Sequence, residues 1–336
     1  MKSSLPKSIL LLMILINFTP TFSQKNSTNK KLRVVFYNLE NYFDSFSDSL
    51  IDYNDFSPEG NYHWNYKKYE QKTKSIYKVL QNVKGWECAT LIGVCEIENK
   101  NVIQHLLYKT PLKNSGFNYI HYDSPDQRGI DVALFYTKGF EPLESMPIFL
   151  YQNNKKLNSR NILYVKGVFG KDTLHVFVNH WTSRYRGVAE SAPIRMGFSD
   201  LLKSKTDSLL LQNDNANIVI IGDFNDEPND ASLKNLVKNT TLKNLALNYK
   251  SINSMGSVKF KEDWFIFDQI IVSKSLYLNN NGLKSSKGMT IFDPIWILEN
   301  DKKYLGMKPY RTNHGFRYNG GYSDHLPVYI EIVKTN

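Results

Sequence analysis

The residues that could do chemistry stand at the edges of apolar runs. The run Ile218–Gly222 stops abruptly in "DFND", at Asp223 and Asn225. Five other runs border polar clusters in the same way: Asn38 in "VVFYNLENYFD", Glu96 in "LIGVCEIEN", Asn179-His180 in "HVFVNHWTSR", Asp268 in "WFIFDQIIVS", and Asp324-His325 just ahead of the run in "YSDHLPVYI". Any one of them can be a turn or a polar residue leaving a sheet. Six such clusters with almost no Lys read as parts of one site. Carboxylates and amide oxygens are hard ligands that suit Mg²⁺, with Mn²⁺ or Ca²⁺ as alternatives, whereas zinc recruits more His or Cys. Two histidines beside carboxylates supply donors for a phosphoryl group and a base for water. The implied chemistry is metal-assisted hydrolysis of a phosphate ester.

The elements that must position these groups follow from apolar patterning. Strands are predicted at Leu32–Tyr37, Thr90–Cys95, Ile130–Tyr136, Leu163–Phe169, Leu174–Val178, Ile218–Ile221, Trp264–Val272 and Leu326–Ile332, with helical spacing at Lys67–Val83, Asn101–Lys109 and Ala192–Leu211. Strands outnumber helices and the helices fall between strands, which suits one α/β domain built on two sheets with helices outside. Acids at the ends of buried strands are where α/β proteins place their sites. No internal repeat and no Pro-, Gly- or Ser-rich linker divides the chain.

The 336 residues are 41% hydrophobic and 13% aromatic, enough for a large core. Lys2 and Lys7, the apolar run Ile9–Phe18 and the small residues before Gln24 match a secretory signal over residues 1–23. A flexible lead-in, 24–31, then precedes a domain at 32–336. The apolar run is too short for a comfortable span, so an exported protein, periplasmic or extracellular, without a stable membrane anchor is expected, and a monomer. Cys88 and Cys95 bracket a predicted strand that separates their Cα atoms by about 20 Å. A disulfide needs less than about 7 Å, so two separate thiols are expected. The net charge is +10, and +8 without Lys2 and Lys7, which favours polyanionic partners.

Taken in order, Asn38 in "NLEN", Glu96 after an apolar strand, Asn179-His180, "GDFN", Asp268 and "SDH" resemble the endonuclease/exonuclease/phosphatase superfamily. That group includes pancreatic-type deoxyribonucleases, abasic-site endonucleases, bacterial sphingomyelinases and inositol polyphosphate 5-phosphatases. The resemblance spans about residues 32–333 and implies a four-layer sandwich of two packed mixed β-sheets flanked by helices. It implies Glu96 as the principal metal-binding residue with Asn38 beside it, and Asp324 as a further member of the metal site. It also implies His325 as general base or phosphate donor oriented by Asp268, His180 as a phosphate contact, and Asp223 with Asn225 around the attacking water and the phosphate. Where the family often has Gln, this chain has Cys95, read as a packing change. Arg128 and Arg184 are candidate phosphate clamps, because a guanidinium grips two oxygens at once. Arg186 and Arg195 are weighed with them, and surface salt bridging is the alternative for these arginines. Tyr136, at a strand end, is a candidate donor to phosphate, with packing as its alternative.

The basic balance and His180 favour a nucleic-acid substrate, DNA or RNA. A sphingomyelinase-like or small-molecule phosphoesterase is the alternative; no hydrophobic hairpin for membrane contact is identified, although "MTIFDPIWILEN" (289–300) has the apolar content to be considered, with a core strand its preferred reading. A non-catalytic binding protein of the same fold would be expected to have lost a His or the metal-binding Glu, and all are present.

Overall fold

The computed structural model describes residues 31–46, 55–85, 88–238, 241–253, 255–278 and 282–335. The expected signal and most of the lead-in lie outside the described residues; Lys31 already belongs to the first strand. In chain order the main elements are β1 (Lys31–Tyr42), α1 (Tyr66–Val83), β2 (Ala89–Ile97), α2 (Lys100–Tyr108), β3 (Asn118–His121), β4 (Asp131–Tyr136), β5 (Phe140–Ile148), β6 (Ile162–Phe169), β7 (Asp172–His180), α3 (Val188–Gln212), β8 (Asn217–Asp223), α4 (Ala231–Val237), β9 (Leu242–Asn244), β10 (Asp268–Ser273), α5 (Lys274–Leu278), β11 (Gly282–Ser285) and β12 (Val328–Thr335).

One sheet has the order β11-β12-β1-β2-β4-β3, with the short strand Thr290–Ile291 also on β12; the other has the order β9-β10-β8-β7-β6-β5. Each is mixed, and each has one parallel pair at its centre, β1 with β2 and β7 with β8. Parallel neighbours need a crossover, supplied by α1 in the first sheet and α3 in the second. The carboxyl ends of β1, β2, β7 and β8 carry Asn38, Glu96, His180 and Asp223. The antiparallel neighbours bring their starts to the same end: Asp268 opens β10 opposite Asp223, and Asp131 opens β4 opposite Ile97. Topology alone thus gathers the clusters.

Between the sheets lies an apolar core of Val34, Phe36, Leu91, Val176, Val178, Ile221 and Ile270, among others. Gly93 permits the close approach, since a Cβ there would come within 2.5 Å of Ile221 Cδ1 and 3.1 Å of Val178 Cγ1. Helix α1 starts at Asn65, whose side chain accepts the Lys68 N–H, and buries Ile76, Val79, Leu80 and Val83 against the first sheet. On the outside of the second sheet, Phe198 and Leu202 of α3 and Leu233 of α4 pack on Phe177, Ile218 and Ile220. The result is the expected four-layer sandwich.

Three details depart from the sequence expectation. The predicted strand Trp264–Val272 is two: Asp263–Phe265 closes a small hairpin with Val258–Phe260, and β10 begins at Asp268. Strand β5 is additional; its Pro142 and Pro147 mask it, and proline is tolerated there because β5 is an edge. The segment 289–300 is no core strand. It breaks at Pro294 into Thr290–Ile291, a 3₁₀ turn Ile295–Ile297 and a short hairpin strand, Leu298–Asn300. Both cysteines are free thiols.

Candidate active site

Asp223 is the hub. Its Oδ2 accepts from Asn38 Nδ2 at 3.1 Å, so the first sheet reaches the second through this bond. Its Oδ1 accepts the Asn225 N–H at 2.9 Å. Asn225 adopts φ 51°, in a region asparagine reaches more readily than most residues, and its Nδ2 donates to the Trp181 carbonyl at 3.1 Å. Two imidazoles flank the same oxygen: His180 Nε2 at 3.8 Å and His325 Nε2 at 3.9 Å. His325 Nδ1 meets Asp268 Oδ2 at 2.7 Å, and its backbone is tied in by Ser323, which accepts the His325 N–H and donates to the Asn38 carbonyl at 2.7 Å.

Glu96 lies at a bulge in β2, where the register shifts between Cys95 and Ile97 and φ is 60°. A non-glycine residue in this region is held there by its surroundings. The bulge turns the carboxylate into the site: Oε2 accepts the Asn41 N–H at 2.9 Å, while Oε1 is 3.1 Å from Arg128 and 3.8 Å from His180 Nε2.

Burial sets the charges. Desolvation raises the Asp223 carboxyl to about 7, with Asp268 adding to it and His325 opposing. Desolvation likewise lowers His180 well below the usual imidazole value, reinforced by Arg160 and Arg128, so it is neutral. His325 is pulled down by burial but held well above its ordinary value by Asp268 and Asp223, so it carries a proton at neutral pH. Two histidines in one pocket therefore sit in opposite states.

Most expected residues converge: Asn38, Glu96, His180, Asp223, Asn225, Asp268 and His325 share this end, with Arg128 at the rim. Two expectations, Tyr136 and Arg184, are corrected. Tyr136 stands opposite Leu91, at the far end of the antiparallel β2–β4 pair from Glu96, and packs edge-on against Phe140. Arg184 does not present a free fork. It donates to the Asn225 carbonyl and to Asp226, each at 2.6 Å, and also pairs with Asp230, which braces the "DFND" loop. Asp324 is engaged by Arg311 at 2.9 Å. Arg195 is a buried brace on Asp226, at 2.8 Å.

Several supporting residues were not anticipated. Arg160 donates to the Trp181 carbonyl and to Asp126. Glu40, buried in the "NLEN" bulge, accepts the Thr312 N–H at 2.6 Å and pairs with Arg311 at 3.2 Å. Lys72, fully buried on α1, donates to the Tyr322 carbonyl at 2.6 Å and to Thr312. This network pins the loop that delivers Asp324 and His325. An acid in the quoted "NLEN" was the only visible signal for it.

The donor set suits a divalent ion. Asp223, Asp268 and His325 offer ligand atoms within 4.8 Å of one another, all buried, and Asp268 Oδ1 is buried without a hydrogen-bond partner. Crowded carboxylates with an orphaned oxygen are what a hard cation relieves.

A four-layer α/β sandwich with acids and histidines gathered where its two sheets end together is the class of protein this geometry defines. The chain belongs to the endonuclease/exonuclease/phosphatase family, whose sequence model matches residues 33–334. Among solved structures it resembles truncated TDP2 of Caenorhabditis elegans, at 15% identity and TM-score 0.58, covering 90% of this chain and 97% of that one. It also resembles the mannosyl-6-phosphatase of Bacteroides thetaiotaomicron VPI-5482, at 18% identity and TM-score 0.55 over 90% and 99% of the two chains. The human Nocturnin catalytic domain with bound sulfate gives 15% identity and TM-score 0.55 over 91% and 96%. At such identities the likeness is one of fold. No curated protein sequence matches the chain.

Proposed function

We propose that the protein is an exported, monomeric, Mg²⁺-dependent phosphodiesterase acting on nucleic acid. The observation that carries the hydrolytic reading is Asp223 Oδ2 flanked by His180 and His325 at 3.8 and 3.9 Å, with His325 anchored on Asp268. Asp223, raised toward neutrality, orients the attacking water and accepts its proton. His325, held protonated, donates to a non-bridging phosphate oxygen; this favours the phosphate-donor role over that of base. Neutral His180 offers one N–H to the same phosphate, and Asn225 keeps the loop of Asp223 in register. A divalent ion held by Glu96, with Asn38 beside it, would supply Lewis-acid stabilisation of the phosphorane charge. Asp324 would serve that site through its place next to His325, and Arg128 would steer the polyanion at the rim.

Nucleic acid is preferred because the net charge, +10 overall and still basic without Lys2 and Lys7, attracts a phosphodiester backbone whatever its bases. A small phosphorylated sugar is the second reading, supported by the likeness to the mannosyl-6-phosphatase. Among the described residues no helix is long and apolar enough to cross a membrane. The test is hydrolysis of plasmid DNA, RNA, sphingomyelin, bis-p-nitrophenyl phosphate and mannose 6-phosphate with Mg²⁺, Mn²⁺ or Ca²⁺, and with chelator. Chelator-sensitive nicking of DNA or cleavage of RNA is expected. Turnover of the sugar phosphate or lipid alone would replace the nuclease reading, and silence on all five would remove the hydrolase.

A further inference from the structure

Cys95 is a buried residue of this region that the hydrolysis leaves unused. Side chains alternate along a strand, and Cys95 falls on the same face of β2 as Gly93, which abuts Ile221 and Val178 of the second sheet. The thiol therefore points across the sandwich toward the ends of β7 and β8. There the Cys95 sulfur, a His180 ring nitrogen and an Asp223 carboxylate oxygen all lie within 4.8 Å of one another, and all three residues are buried. His180 Nδ1 is buried with no hydrogen-bond partner, and Nε2 stands 3.8 Å from Asp223 Oδ2. Two nitrogen or oxygen ligands about 2.0–2.1 Å from one tetrahedral zinc lie roughly 3.4 Å apart. Between His180 and Asp223 the gap closes with a movement of a few tenths of an ångström.

We propose that Cys95, His180 and Asp223 form a soft-metal site for Zn²⁺ or Cd²⁺, with water as fourth ligand. Its ligand set differs from the oxygen set around Glu96, because a thiolate and an imidazole select borderline and soft ions over Mg²⁺. On binding, the thiol releases its proton to solvent and a metal–thiolate bond forms. Two of the three ligands are groups assigned to hydrolysis, so occupancy silences turnover. That consequence rests on the proposed function; the binding itself does not.

The test is titration of metal-free protein with Cd²⁺, followed by the ultraviolet thiolate-to-cadmium charge-transfer band, with Zn²⁺ as competitor. One equivalent is expected to raise the band and Zn²⁺ to remove it. The band should persist in Cys88→Ser and vanish in Cys95→Ser and Cys95→Ala. Zinc X-ray absorption on Cys88→Ser, which keeps the site intact, should show one sulfur neighbour at about 2.3 Å, and this readout does not depend on the Cys95 variants folding. Zn²⁺ should inhibit Mg²⁺-supported hydrolysis by the wild type at least tenfold more strongly than that by Cys95→Ala. No band in the wild type, a band that survives Cys95→Ala, or no sulfur neighbour overturns the site. Equal zinc inhibition of wild type and Cys95→Ala overturns the competition. A band in a protein that hydrolyses none of the five substrates supports the site while removing the hydrolase reading, so the two fail separately.

Discussion

His325 Nδ1 and Asp268 Oδ2 stand 2.7 Å apart, 57 residues distant in sequence, one from the loop ahead of β12 of the first sheet and the other from the start of β10 of the second. The carboxylate fixes the imidazole tautomer and holds its proton. Asp268→Asn keeps the shape and removes the charge. Turnover should fall by roughly 10²- to 10⁴-fold with KM changed little, and a loss confined to KM in steady-state kinetics would contradict the assignment.

Glu96 and Arg128 should show opposite signs toward metal. Glu96→Gln removes a carboxylate and should weaken divalent-ion binding, whereas Arg128→Ala frees that carboxylate from a cation 3.1 Å away and should tighten it. About tenfold in each direction is expected, in the range for groups next to metal ligands. Isothermal titration with Mn²⁺ on both variants decides it. The same Arg128→Ala protein should bind substrate more weakly.

The metal-free protein should lose stability as pH rises above about 6.5, the unfolded imidazole value. His325 has a folded-state value well above that, so over this interval the folded chain holds more protons than the unfolded one. Its contribution is fully present below about 6.5 and disappears as pH rises through the folded value. Asp223, raised to about 7, adds in the same direction up to that point. Urea denaturation at pH 6.5 and 7.5 should show the decline in the wild type and a smaller one in His325→Gln.

Lys72 and Glu40 are both buried, 3.9 Å apart. Burial lowers the Lys72 ammonium to about 8 while Glu40 opposes this, and burial, with Asp324, raises the Glu40 carboxyl. Removing either partner alone, as Lys72→Met or Glu40→Ala, takes one partner from a buried charge and should cost up to about 3–5 kcal/mol, the loss being smaller for Lys72→Met because Arg311 still pairs with Glu40. The double variant should cost less than the sum of the singles. Additive losses in chemical denaturation would show that the two do not act as a pair.

Most of the site was legible because buried parallel strands write themselves as unbroken apolar runs, and the residue that ends each run is a sheet-edge residue. Asn38, Glu96, His180 and Asp223 were visible for that reason. Asp268 was found, but inside a run taken as one strand, since apolar content alone does not separate Trp264–Phe265 from β10. Tyr136 was misplaced because a sequence does not say which way a strand runs: β4 is antiparallel to β2, so its last residue faces away. Arg184 misled for another reason. Its partners Asp226 and Asp230 lie over forty residues ahead, and a guanidinium gripping its own chain reads like one waiting for phosphate. Lys72 gave no signal at all, since a lysine on a helix is almost always solvated.

Lys31 pairs with Val333 and Phe36 with Val328, so the first sheet is closed by joining the two ends of the described chain. The seam runs beside the candidate site, with Asn38 on one side and His325 on the other. A ribosome makes Asn38 early and His325 nearly three hundred residues later, and contacts that distant form slowly. The second sheet is drawn from one continuous stretch, Phe140–Ser273, which carries His180, Asp223, Asn225 and Asp268 but neither Asn38, Glu96 nor His325. The cluster around Asp223 is therefore complete only once the last stretch of the chain, with His325, has been made.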